Sequence, residues 1–129
     1  MGFHMLLLSG FGLLGVWMRY GIGLYCQTFA WEGFPYPTFL INMMGAFLIG
    51  VVYVWGAEYA RLNPVLSLSL MSGFLGGFTT FSAFSLEAVL LLEKGLWKSA
   101  CLYVATSAIL GVGGAWGGMG ITRWYLMQG

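Results

Sequence analysis

Residues 73–87 read "GFLGGFTTFSAFSLE". Adjacent glycines, two threonines, two serines and four phenylalanines fall inside a long apolar run, where a membrane helix is normally uninterrupted. Gly76 and Gly77 permit torsions that helices do not normally use, and the β-branched Thr79-Thr80 pair weakens helix propensity further. The stretch predicts a non-helical turn at membrane depth that frees carbonyl and N–H groups. Such backbone is tolerated only when it is buried in protein, lines a water-filled cavity or binds an ion. Freed carbonyls suit a hard monovalent cation; the bland alternative is a glycine hinge healed by Ser and Thr side chains.

The rest of the chain supports a membrane setting. Of 129 residues, 60% are hydrophobic and 7% charged, and the mean hydropathy is +0.86. A soluble domain carries roughly a quarter of its residues charged. A helix crosses the hydrocarbon core in about 20 residues, and four apolar stretches of about that length are present, at about 5–26, 38–55, 64–92 and 99–121. The links between them are "QTFAWEGFPYP", "AEYARLNP" and the tight "EKGLWK". Pro37 is placed to open the second span, where its missing N–H costs nothing. Trp31, Trp55, Trp97 and Trp124 fall near span ends, as interfacial aromatics do. The expected fold is an all-α integral membrane protein, one four-span domain with its third helix broken mid-membrane and no room for a soluble domain.

Composition also excludes. A net charge of +1 without a basic stripe argues against nucleic acid. Cys26 and Cys101 lack metal-type spacing and read as small apolar fillers, and nothing supports a metal role for His4. The start "MGFHMLLLSGFGLLGVWM" lacks a cationic n-region and a cleavage site, so it reads as a retained first span. Leu6 stands where myristoylation needs Ser or Thr. There is no nucleophile–base pair and no phosphate loop, so no catalytic residue is expected.

Charge is balanced across the membrane. One face would hold Arg61 and Arg123; the other would hold Lys94 and Lys98, with Arg19 if it snorkels toward its span end. So even a balance lets a chain insert either way up and pair with its inverted copy, although orientation set by other details remains open. Gly113/Gly117 and Gly114/Gly118 in "GVGGAWGGMG" are small-xxx-small pairs, and Gly45, Ala46 and Gly50 are their counterparts in the second span. They fit helix packing within a subunit or between subunits equally well. At least a dimer is expected.

Polar side chains at membrane depth are candidates by default. Asn42 lies one turn after Thr38 on the same face and serves either an ion or a neighbouring helix. Phe81 and Phe84 are spaced i,i+3, as are Ser82 and Ser85. Ring edges are electropositive, so two edge-on phenylalanines could coordinate a small anion without trapping it; ordinary core packing is the alternative. Glu87 reads as a gate or coupling site, or as a carboxylate snorkelling near a helix end or paired to a base. Tyr103, Thr106 and Ser107 form a hydroxyl stripe that lines a pore or bonds neighbouring helices.

"GGFTTFSAFSLE" closely resembles the signature of the Fluc, or CrcB-type, fluoride channels. "GFGLLGVWMRY", ending at Tyr20, resembles that family's glycine-rich first span with its arginine. "TFLINMMGAFLIG", from Thr38, resembles its asparagine-bearing second span. The resemblance covers essentially the whole chain and implies passive efflux of fluoride from the cytoplasm, reducing its toxicity, through a multi-pass protein of the cell (inner) membrane. It implies a dual-topology antiparallel homodimer with two fluoride pores and a structural sodium ion at the dimer interface. Carried onto this sequence, the sodium carbonyls fall on Gly76 and Thr79. The pore falls on Asn42, Phe81, Phe84, Ser82, Ser85, Tyr103 and Ser107, with Glu87, Arg19 and Thr38 as gate or structural positions. Gly111 stands where the fourth-span polar track might continue, so a donor there must come from elsewhere. A small dual-topology proton-coupled multidrug transporter is the rival, but it needs a carboxylate deep in a substrate cavity, and the first span has Arg19 and no acid. A non-transporting assembly subunit would leave the Gly-Gly break and its hydroxyls without purpose.

Overall fold

The computed structural model describes residues 1–28 and 33–129; Trp31 therefore lies outside the described residues. Those residues form helices joined by turns and short irregular links, and four of the helical stretches are long and apolar enough to cross a membrane. Helix α1 is Gly2–Gln27. Helix α2 is Tyr36–Glu58, whose last turn, Val54–Glu58, widens to π geometry. The third stretch, Pro64–Glu93, is two segments: α3 (residues 64–78) and α4 (Phe81–Glu93). Helix α5 is Trp97–Gln128.

Local chemistry explains most boundaries. Pro35 caps α2, Tyr36 opens it, and Pro37 takes the second position rather than the first. Asn63 caps α3 by accepting the Val65 N–H at 2.9 Å, followed by Pro64 where a missing N–H is harmless. At the α4–α5 turn the Leu96 N–H reaches the Leu91 carbonyl and the Gly95 N–H reaches Leu92. Gly95 has φ +77, the left-handed torsion that this helix ending demands.

Gly76 and Gly77 do not form the turn. Both are helical, and the extended residues are Thr79 (φ −85, ψ 160) and Thr80 (φ −150, ψ 118). The glycines serve close approach instead. A Cβ on Gly77 would strike the Gly12 carbonyl of α1, and one on Gly15 would strike the Phe74 carbonyl. Helix α1 therefore lies backbone to backbone along α3.

The second close contact joins α2 and α5. A Cβ on Gly118 would land on the Phe47 carbonyl, and one on Gly50 on the Ala115 carbonyl. Gly113 and Gly117 meet nothing within 4 Å. The two small-residue pairs thus divide: Gly118 packs within the subunit, while Gly113/Gly117 face outward. Arg123 and Glu58 clasp the far ends of α5 and α2 at 2.7 Å; both are part-exposed, so solvent screening leaves the pair little weight in stability.

A small core lies where α2, α4 and α5 meet. Ala88, Leu91, Ala100 and Tyr103 are buried, with Phe34, Phe39 and Phe84 packed against them. Outside it, large apolar side chains such as Ile109, Val112 and Trp116 stand exposed on the subunit surface. A face of this kind is stable against lipid or another protein, not water.

Candidate functional site

The interruption between Phe78 and Phe81 is held by Asn42. Its Nδ2 donates to the Thr80 carbonyl at 3.1 Å, and its Oδ1 accepts the Thr80 N–H at 2.9 Å. One side-chain amide thereby satisfies both polar groups of an extended residue. Thr79 Oγ1 donates back to the Leu75 carbonyl at 2.9 Å, and Thr80 Oγ1 caps α4 by accepting the Ala83 N–H at 3.2 Å.

This rerouting changes which carbonyls have partners. In an unbroken helix the Thr80 N–H serves the Gly76 carbonyl and the Ala83 N–H serves that of Thr79. Both donors are turned elsewhere, to Asn42 and to Thr80 Oγ1. The Gly77 carbonyl receives Arg19 Nε at 3.1 Å. Arg19 therefore turns inward to the interruption rather than snorkelling to the end of its span. The Gly77 carbonyl draws it there, because the usual donor, the Phe81 N–H, lies beyond the extended pair.

Two cavities flank Thr80. One, of about 320 Å³, is lined by Asn42, Gly45, Gly76, Thr79, Thr80 and Phe81 among others. The other, of about 280 Å³, has Arg19, Tyr20, Thr38, Thr80 and Glu87 in its wall. Glu87 is held by two hydroxyls from different helices: Thr38 Oγ1 donates to Oε1 at 2.6 Å, and Tyr103 OH donates to Oε2 at 2.8 Å. It is not paired to a base among the described residues, and Tyr103 is fully buried.

The aromatic pair divides. Phe84 packs edge-on to Tyr103, with centroids 4.9 Å apart, and lies 5.7 Å from Phe81. Phe81 itself is 80% exposed and projects from the subunit. Ser85 Oγ donates to the Phe81 carbonyl, and Ser82 Oγ lies 3.4 Å from Thr80 Oγ1. Thr106 is satisfied by the Leu102 carbonyl of its own helix. Ser107 Oγ is buried and has no hydrogen-bond partner among the described residues.

Sequence reasoning treated Thr80 only as a weak helix former, yet it is the residue that Asn42 holds and that both cavities share. Its position three residues before Ala83, at a helix start, is the signal that could have found it. Phe34 and Phe39, which close over Tyr103 at 5.4 Å and within the same cluster, gave no signal in their spacing. Among the described residues, no group of three His, Cys, Asp or Glu could hold a metal ion.

Residues 6–119 match the family described as "CrcB-like protein, Camphor Resistance (CrcB)". The chain belongs to the CrcB-like family. Among its relatives, "Fluoride-specific ion channel FluC 2" of Symbiobacterium thermophilum is 40% identical over 114 residues, covering 88% of this chain and 93% of its own. "Fluoride-specific ion channel FluC" of Acidithiobacillus ferrooxidans is 41% identical, covering 88% and 90%. The protein of the same name from Rhizobium meliloti is 38% identical, covering 93% and 96%.

Proposed function

We infer that this CrcB-like chain is a fluoride-selective ion channel and not an enzyme, letting fluoride leave the cytoplasm passively. The observation that carries the reading is the buried Ser107 hydroxyl, without a hydrogen-bond partner among the described residues and one helical turn from the Tyr103–Glu87 pair. A buried donor without an acceptor is costly, and a passing anion supplies the acceptor. Fluoride is small and tightly hydrated, so its route must replace water with donors that hold it weakly. The second N–H of Asn42, the Ser82 hydroxyl and the positive edges of Phe81 and Phe84 complete such a set, and Ser85 joins it when its hydroxyl turns from the Phe81 carbonyl. Arg19 adds fixed positive charge beside the second cavity. The relatives' names support the channel and give the multidrug-transporter rival nothing.

The working unit on this reading is an antiparallel homodimer of dual topology in the cell (inner) membrane. Its support is the outward face of a single subunit: the projecting Phe81 ring and the open Gly113/Gly117 stripe. The interruption of the third span lies at membrane depth, and its freed Gly76 and Thr79 carbonyls fit a sodium ion shared by two copies. Hard, neutral oxygen donors with no carboxylate among them suit a monovalent cation. When bound, that ion supplies positive charge that holds carbonyls from both subunits together.

Liposomes containing the purified protein test the reading through paired fluoride and chloride efflux. Rapid fluoride release with negligible chloride release is expected. Equal leakage of the two anions, or none of either, would end the proposal.

A further inference from the structure

A third cavity, of about 200 Å³, lies on the other side of Glu87 and is lined by Gly33, Phe34, Pro35, Glu87, Leu90 and Lys94 among others. Glu87 also lines the Arg19 cavity. The carboxylate thus stands between two chambers, each with one cation in its wall.

Resting on the channel reading above, we propose that the chamber under Lys94 is an outer mouth of the fluoride route, and that the Lys94 ammonium draws the anion into it. Lys94 and Glu87 are seven residues apart, two turns on one face of α4, about 10 Å along the axis. Lys94 is the C-cap of α4, so its backbone surroundings are the negative end of a helix. Without the ammonium, the charged group lining this chamber would be a carboxylate, and an approaching anion would meet repulsion from both. Lys94 is free to offset them: among the described residues it makes no ion pair. Neighbouring Glu93 is exposed and does not line the chamber. The Lys98 ammonium is engaged elsewhere, 5.8 Å from the centroid of the Trp97 ring.

A single cation at this range changes local anion concentration by about two- to fourfold in weak screening. Its influence extends roughly 30 Å at 10 mM salt and roughly 3 Å at 1 M. The test is the initial rate of fluoride efflux from liposomes at those two ionic strengths, for wild type, Lys94→Gln, Lys94→Glu, Lys94→Arg and Lys98→Gln. Lys94→Gln should lose about two- to fourfold at low salt and converge on wild type at high salt. Lys94→Glu should lose more, while Lys94→Arg and Lys98→Gln should match wild type. The proposal is overturned if Lys94→Gln keeps the wild-type rate and salt dependence. It is equally overturned if Lys94→Arg fails like Lys94→Gln, or if Lys98→Gln loses as much. A wild type that carries no fluoride at either ionic strength removes the channel reading itself, and the mouth with it.

Discussion

The side-chain amide of Asn42 takes both backbone groups of Thr80, donating at 3.1 Å and accepting at 2.9 Å across 38 residues of sequence. It thereby does locally what a neighbouring strand does in a sheet. Asn42→Ala leaves a donor and an acceptor of the extended segment unpaired, at about 1–3 kcal/mol for each. Asn42→Asp with a neutral carboxyl still offers one acceptor and one O–H donor, so its cost in stability should be the smaller of the two. Thermal unfolding in detergent, followed by tryptophan fluorescence, measures the ordering. Equal stability of Asn42→Ala and wild type would mean that the interruption holds itself.

Glu87 depends on Thr38 and Tyr103, one hydroxyl for each oxygen. Tyr103→Phe and Thr38→Val should each destabilise by about 1–3 kcal/mol, because each strands one carboxylate oxygen. The double variant should depart from additivity, since both donors serve one group. Adding Glu87→Leu to the double variant should recover part of the loss, because the stranded group is gone. Denaturant unfolding of the four variants beside wild type checks this. Strict additivity, with no recovery, would show that the three side chains act separately.

The places where sequence and structure part follow from what local chemistry can carry. Span length, the Asn63-Pro64 start and the Gly95 turn rest on hydrophobicity and torsions, and are legible in single stretches. Gly76-Gly77 misled because glycine answers two different needs, odd torsions and close approach. Only the partner, here Gly12 of α1, tells which applies. The torsions went instead to Thr79 and Thr80, where Asn42 offers the hydrogen bonds that the helix gives up. Glu87, Thr38 and Tyr103 were each visible as polar residues at membrane depth. Their convergence was not, because it depends on how three helices cross. Arg19 shows the same limit: its charge suggested an aqueous end, while the Gly77 carbonyl that captures it is 58 residues away.

The two glycine pairs of α5 give opposite expectations. A Cβ on Gly118 lands on the Phe47 carbonyl, so Gly118→Ala should push α2 from α5 and cost about 1–3 kcal/mol. Gly117 has nothing within 4 Å, so Gly117→Ala should gain up to about 1 kcal/mol from helix propensity. Unfolding midpoints of the two variants decide. If both destabilise alike, the outward face of α5 is packed as closely as the inward one. In that case chemical cross-linking of Gly117→Ala against wild type should show a lower yield of the dimer.

Ser107→Ala separates a structural hydroxyl from one reserved for an ion. The Ser107 oxygen is buried without a partner among the described residues, so its removal takes away no protein hydrogen bond. It also relieves a desolvated polar group. Stability should be unchanged within about 0.5 kcal/mol or slightly raised. A hydrogen bond to a charged group is worth about 1.5–3 kcal/mol, so fluoride efflux should fall about tenfold or more if that donor meets the anion at its barrier. Loss of flux at constant stability places the hydroxyl on the route. A stability loss of 1–3 kcal/mol would instead reveal a hydrogen-bond partner for it, and unchanged flux would remove Ser107 from the route.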